Sequence, residues 1–200
     1  MSDSRVKVRQ PKGEGRLQRP MSSSGDYVTS LSQVLRRHGL VMGTLALMLL
    51  LWPGSIKVIS ELAAPLLSDP AVYLFVSALI LVFFVSYWFL KSYRISAAQF
   101  QWVAYLFFIS VVEEVAFRAL LPFILTDAAG LTVAIFLSNL VFAGVHYVTL
   151  RWKIINCIGA LIGGLALSRL LSNTGDIALV VLVHWLVTFL NTPSAPKKHL

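Results

Sequence analysis

The chain has 200 residues, 57% of them hydrophobic and only 13% charged, with a mean hydropathy of +0.76. Soluble domains carry about 25% charged residues, so the composition excludes an ordinary soluble domain and predicts an all-α, polytopic integral membrane bundle. The net charge of +8 is concentrated at one end, where eight of the 17 Lys and Arg precede residue 38. Beside an apolar segment, such a basic stretch fits membrane topology and anionic headgroups, and nucleic acid is not an expected partner.

Residues 1–36 are rich in Ser, Gly, Pro, Lys and Arg and show no apolar periodicity. They read as a disordered basic cytosolic tail. The first apolar run starts near Leu40, which does not fit a cleavable signal peptide. Residues 37–193 read as a transmembrane helical domain and residues 194–200 as a second cytosolic tail.

Taking ~20 residues per crossing, six spans are expected, at roughly 40–60, 70–90, 98–125, 131–150, 153–172 and 176–193. Long unbroken apolar runs favour helices over a barrel. Pro53 and Gly54 should kink the first span, and Lys57 should snorkel. With six spans and a cytoplasmic N-terminus, 14 of the 17 basic residues fall on the inner side. Lys57 and Arg169 lie outside and Arg118 lies within the membrane. That bias predicts both termini in the cytoplasm. The fifth span carries Gly159 and Gly163 in GxxxG spacing, which predicts close helix packing there. The single Cys157 excludes an internal disulfide. No long internal repeat is visible.

Few polar groups fall inside these spans, and charged ones are costly there. Span three holds Glu113, Glu114 and Arg118; span four holds Asn139 and His146; span six holds His184, Thr188 and Asn191. Glu114 and Arg118 are spaced i, i+4 with the acid first, the favourable orientation for an ion pair. Glu113 points about 100° away on the helix and is left over. Counted from the turn at Ala129-Gly130, Glu113 and His146 are each about 16 residues away. In an antiparallel hairpin both therefore sit at one depth, roughly 25 Å from the turn. Asn139, Phe142 and His146 share a face of span four, and His184, Thr188 and Asn191 share one of span six.

Three chemistries fit two His and a surplus Glu. Glu113, helped by His146, can deprotonate a water that attacks a peptide carbonyl, with His184 donating to the oxyanion. Alternatively, Glu113, His146 and His184 can bind zinc as a His₂Glu set, although no HExxH is present. A proton relay in a carrier is the third possibility.

The stretches EEVAFR (113–118) and FAGVH (142–146), with His184, resemble the EExxxR, FxxxH and HxxxN motifs of the CPBP family of intramembrane proteases. That family includes CAAX prenyl endopeptidases of the Rce1 type and bacteriocin-processing or immunity proteins. The Gly-rich stretch from Gly159 to the turn before His184 is also similar. The likeness covers roughly residues 98–192. It implies a glutamic-type intramembrane endopeptidase without a metal cofactor, zinc being the alternative. Carried over, Glu113 is the base with His146, His184 stabilises the oxyanion, and Glu114 and Arg118 hold the site. The last motif's Asn position is Thr188 here, and Asn191, one turn on, is a candidate substitute.

The expected partners are membrane lipids and a membrane-protein or lipidated-peptide substrate, in a bacterial or archaeal inner membrane. The competing readings are a catalytically silent scaffold or immunity protein of the same fold and a proton-coupled carrier.

Overall fold

A computed structural model describes residues 17–19, 28 and 30–196. Most of the expected basic N-terminal tail, and the final Lys197 and Lys198, lie outside the described residues. Among the described residues the fold is all-helical, and the one non-helical pairing is an isolated bridge between Gln18 and Trp152.

Helix α1 runs Leu31–Leu50, so helix begins before the expected tail boundary at residue 36. Ser30 starts it by accepting a hydrogen bond from the Gln33 amide at 3.3 Å. Leu35–Gly39 forms a wide π-helical turn within it. After α1 come α2 at Ser55–Leu62 and a short α3 at Ala64–Ser68. Helix α4 spans Pro70–Leu90, with proline in the first turn, where no amide donor is needed.

Helix α5 is continuous over 97–129, but its winding changes twice. Ala97–Glu114 is α-helical, Val115–Leu120 is π-helical and Leu121–Ala129 is α-helical again. Pro122 explains the wide turn. It cannot donate to the carbonyl four residues back, and its ring crowds that carbonyl. Leu121 instead donates to Ala116 O, five residues back. Gly130, at φ +75°, makes the sharp turn into α6, Leu131–Thr149. Helix α7 is Ile154–Thr174 and α8 is Ile177–Asn191. Asp176 caps α8 by accepting from the Leu179 amide at 3.0 Å and also accepts from Tyr73 Oη at 2.6 Å.

Among the described residues, three helices are long and apolar enough to cross a membrane: α4, α6 and α7. A fourth crossing is counted if α1 and α2 form one span, but they meet at 106°. The expected kink at Pro53-Gly54 is therefore a full break, with Gly54 at φ +86°. The first expected span does not run straight to residue 60. Lys57 is exposed and lies 3.9 Å from Glu61. The segments expected as spans three and six do not meet the same measure. The first half of α5 carries two glutamates and two glutamines, and α8 has only 15 residues.

The core gathers around α5 and α8. Phe84 stacks on Phe189 at 3.7 Å and meets the Trp185 ring edge at 5.1 Å. Three indoles are tied to backbone carbonyls: Trp88 Nε1 to Pro193 O at 2.6 Å, Trp102 Nε1 to Thr192 O at 2.8 Å, and Trp185 Nε1 to Val103 O at 3.1 Å. The Ala195 amide donates to Gln99 Oε1 at 2.7 Å. The residues just after α8 are thus fastened to the start of α5.

The GxxxG expectation is corrected. A Cβ at Gly159 or Gly163 would meet nothing within 4 Å. The close approach is at Gly164, where a Cβ would collide with Asn139 Oδ1 and come within 3.0 Å of Arg118 Nη2. The pattern points at one face of α7, and the packed face is its neighbour.

Candidate active site

The α5–α6 hairpin places Glu113 and His146 together, as equal distances from the turn require. Glu113 Oε1 lies 3.7 Å from His146 Nε2. Helix α8 adds His184, whose Nε2 is 3.6 Å from Glu113 Oε2. A third imidazole, His38 on the π turn of α1, comes closest, with Nε2 at 2.8 Å from Glu113 Oε1. Glu113 and His38 are each 3% exposed.

His38 is the residue that sequence reasoning misses. It follows Arg36-Arg37 at the junction of the basic tail and the first apolar run, where a histidine reads as a surface residue. No motif or spacing relates it to Glu113, 75 residues away. The available signal is its position about two turns inside α1, within a helical segment that becomes apolar immediately after it.

The outer hydrogen bonds orient each ring. His146 Nδ1 donates to Phe142 O at 2.9 Å, so its Nε2 faces the carboxylate. The Thr149 hydroxyl donates to Val145 O at 2.7 Å. It therefore accepts from His38 Nδ1, at 2.7 Å, and His38 Nε2 is the atom turned to Glu113. His184 Nδ1 lies 2.6 Å from Glu114 Oε1. All three imidazoles thus present Nε2 to one carboxylate, each with Nδ1 fixed by an acceptor.

Glu114 and Arg118 are both fully buried, with Arg118 Nε 3.4 Å from Glu114 Oε2. This is a charge contact without hydrogen-bond alignment, since neither atom has a hydrogen-bond partner. The expected i, i+4 pair is present, but Glu114 also serves His184. The π winding begins at Val115, between the two residues.

Phe142 forms the floor that links the groups. The Arg118 Cζ lies 4.2 Å over its ring. The Phe142 ring meets His146 at 4.5 Å and His184 at 6.1 Å. Asn139 is buried one turn away and donates to Ile135 O and Ser168 Oγ, both at 2.9 Å. It braces α6 against α7 beside Arg118 and does not join the histidine cluster. Thr188 is half-buried, and its carbonyl accepts from the Thr192 amide at 2.9 Å and the Thr192 hydroxyl at 2.8 Å. Asn191 is exposed at the end of α8 and is not brought to the site.

Near the cluster, Trp152 packs on His146 at 4.7 Å between ring centroids. The N-terminal strap crosses here. The Arg19 amide donates to Arg151 O at 2.8 Å and the Lys153 amide to Leu17 O at 2.7 Å. The Arg19 guanidinium sits 3.8 Å over the Tyr147 ring.

Chemically, the arrangement offers a buried carboxylate ringed by ring nitrogens. Among the described residues, His38, Glu113 and His146 offer ligand atoms within 4.8 Å of one another, close enough to share a metal ion. That set differs from the one expected from the motifs, because His38 takes the place of His184. The 2.8 Å separation of His38 and Glu113 is also the length of a direct hydrogen bond with a proton between the two atoms.

Comparison with known proteins agrees with the motifs. Residues 95–190 match the family model described as type II CAAX prenyl endopeptidase, Rce1-like. No curated protein and no solved structure matches the chain.

Proposed function

We propose that this chain, Rce1-like over residues 95–190, is an intramembrane endopeptidase that cleaves a membrane-associated or lipidated substrate. The observation that carries the reading is the Glu113 carboxylate, buried in a helical bundle with three imidazole Nε2 atoms turned toward it.

In this reading Glu113 takes a proton from a water held between it and His146. The water oxygen bonds to the scissile carbonyl carbon, and the carbonyl oxygen becomes an oxyanion. His184, taken as an imidazolium whose Nδ1–H is held and whose charge is balanced by the Glu114 carboxylate, donates its Nε2–H to that oxyanion. Glu113 then passes its proton to the leaving amine as the C–N bond breaks, acting as base and then as acid. Arg118 and Phe142 hold Glu114 and the rings in place. Thr188 supplies no amide at the family's Asn position, so His184 carries the oxyanion contact alone.

The reaction is proposed without a metal. Zinc at the candidate ligand atoms is the alternative, and metal analysis of the purified protein, with cleavage assayed in chelator, separates the two. We further place six crossings in a bacterial or archaeal inner membrane with both termini cytoplasmic. The support is the basic bias of the segments assigned to the inner side. Cysteine labelling at Lys57, Arg94 and Lys153 from either side tests it.

The deciding experiment compares wild-type and Glu113→Gln protein on a farnesylated CAAX peptide. Cleavage by the wild type and none by the variant, with both correctly inserted, is the expected result. Equal cleavage by both sinks the reading.

A further inference from the structure

We infer that His38 is a positioning residue for the Glu113 carboxylate, a role that rests on the reading of Glu113 as the base. His38 lies outside residues 95–190, the segment matched by the family, and belongs to none of the motifs.

Three observations carry the inference. First, His38 alone among the three imidazoles is at hydrogen-bond distance from Glu113, 2.8 Å against 3.7 and 3.6 Å. The rotation of the carboxylate is therefore set by His38. Second, the ring is itself held. Thr149 on α6 accepts from Nδ1–H, so the Nε2 donor to Glu113 is the second N–H of a ring paired as imidazolium with the carboxylate, and the His146 ring packs edge-on at 4.9 Å. Third, the site is closed to water on this side, so no solvent molecule replaces a lost donor without rearrangement. With Oε1 pinned to His38, Oε2 is left facing His184. Thr149, His38 and Glu113 form a chain from α6 through α1 to α5, and each link fixes the next.

A carboxylate released from this chain is free to swing, and misplacement by about 1 Å costs on the order of 100-fold in rate. Loss of an orienting outer partner typically costs about 10–100-fold. The loss should fall on kcat, because His38 touches the base and not the substrate.

The test uses the full chain in detergent micelles with a farnesylated CAAX peptide as probe. His38→Ala is expected to lower kcat about 10–100-fold with KM within about twofold. His38→Gln, which keeps one donor, should recover most of that loss. Thr149→Val should lower kcat and Thr149→Ser should not. Wild-type kcat in His38→Ala, or an effect confined to KM, overturns the inference. So does a cleavage lost in chelator and restored by zinc, which would make His38 a ligand. A second readout does not depend on turnover: the ring ¹⁵N signals of His38 should shift in Glu113→Gln and in Thr149→Val. Unmoved signals overturn the inference. If the wild-type chain leaves the peptide intact, the protease reading fails for that substrate, and the ring signals alone decide on His38.

Discussion

Helices α4 and α5 are neighbours in sequence and differ in what they bury. Of the 21 residues of α4, three are buried: Ile80, Phe84 and Trp88. They are spaced four apart and form one stripe, and the rest of the helix presents apolar side chains outward. In the first 18 residues of α5 nine are buried, and in the π turn that follows five of six. Those include both glutamates and the arginine. One helix is long and apolar enough to cross a membrane and needs only a seam to dock. The other is wrapped by its neighbours because its charges cannot face lipid. Composition and burial together separate the two. The helix that carries both glutamates of the candidate site is the one that falls short of the apolarity of a membrane span.

This contrast can be broken at either helix. The largest effect is expected at α5, where Glu113→Gln should lower peptide cleavage about 10²–10⁴-fold while thermal unfolding stays near wild type. Substituting α4 should do the reverse. Phe84→Ala removes the ring stacked on Phe189 and should cost about 3–5 kcal/mol in unfolding free energy, measured by denaturant titration in mixed micelles, with the specific activity of the folded fraction retained. On α8, His184→Ala should slow turnover about 10²–10³-fold with substrate affinity held. Glu114→Gln should resemble it, since Glu114 acts through His184. The smallest effect sharpens the contrast within one helix. Gly164→Ala should destabilise by about 1–3 kcal/mol, whereas Gly163→Ala, facing open space, should shift stability by less than about 0.5 kcal/mol. Equal effects at the two glycines would show that α7 packs on a different face.

What could be read from the sequence follows the range of the physics involved. The level placement of Glu113 and His146 was legible because one short turn joins their helices, and rise per residue does the rest. The Glu114–Arg118 contact was legible as a local spacing. His184 was legible as a polar residue in an apolar helix. The role of His38 was not, because no local rule connects residues 38, 113 and 149. The π turns were hidden because neither LRRHG nor VAFRAL differs in kind from ordinary helical sequence, and only Pro122 hints at the second. Gly164 was overlooked because a small-residue motif identifies candidates and not the face that a neighbour occupies. Asn191 follows His184 by seven residues, but it is exposed at the end of α8 and does not reach the cluster.

The long separations within the site bear on how the protein is made. Glu114 waits 70 residues for His184, and His38 waits 111 residues for Thr149. During synthesis the two glutamates therefore reach the insertion machinery well before the last helix exists. Arg118, four residues on, is the counter-ion that arrives within the same turn of chain. Its contact with Glu114 in the finished protein is poorly aligned, so what it offers the carboxylate is a nearby opposite charge and not a hydrogen bond. On the proposed function, the site stays incomplete until translation has passed His184, so a nascent copy still lacks the oxyanion donor assigned to that residue.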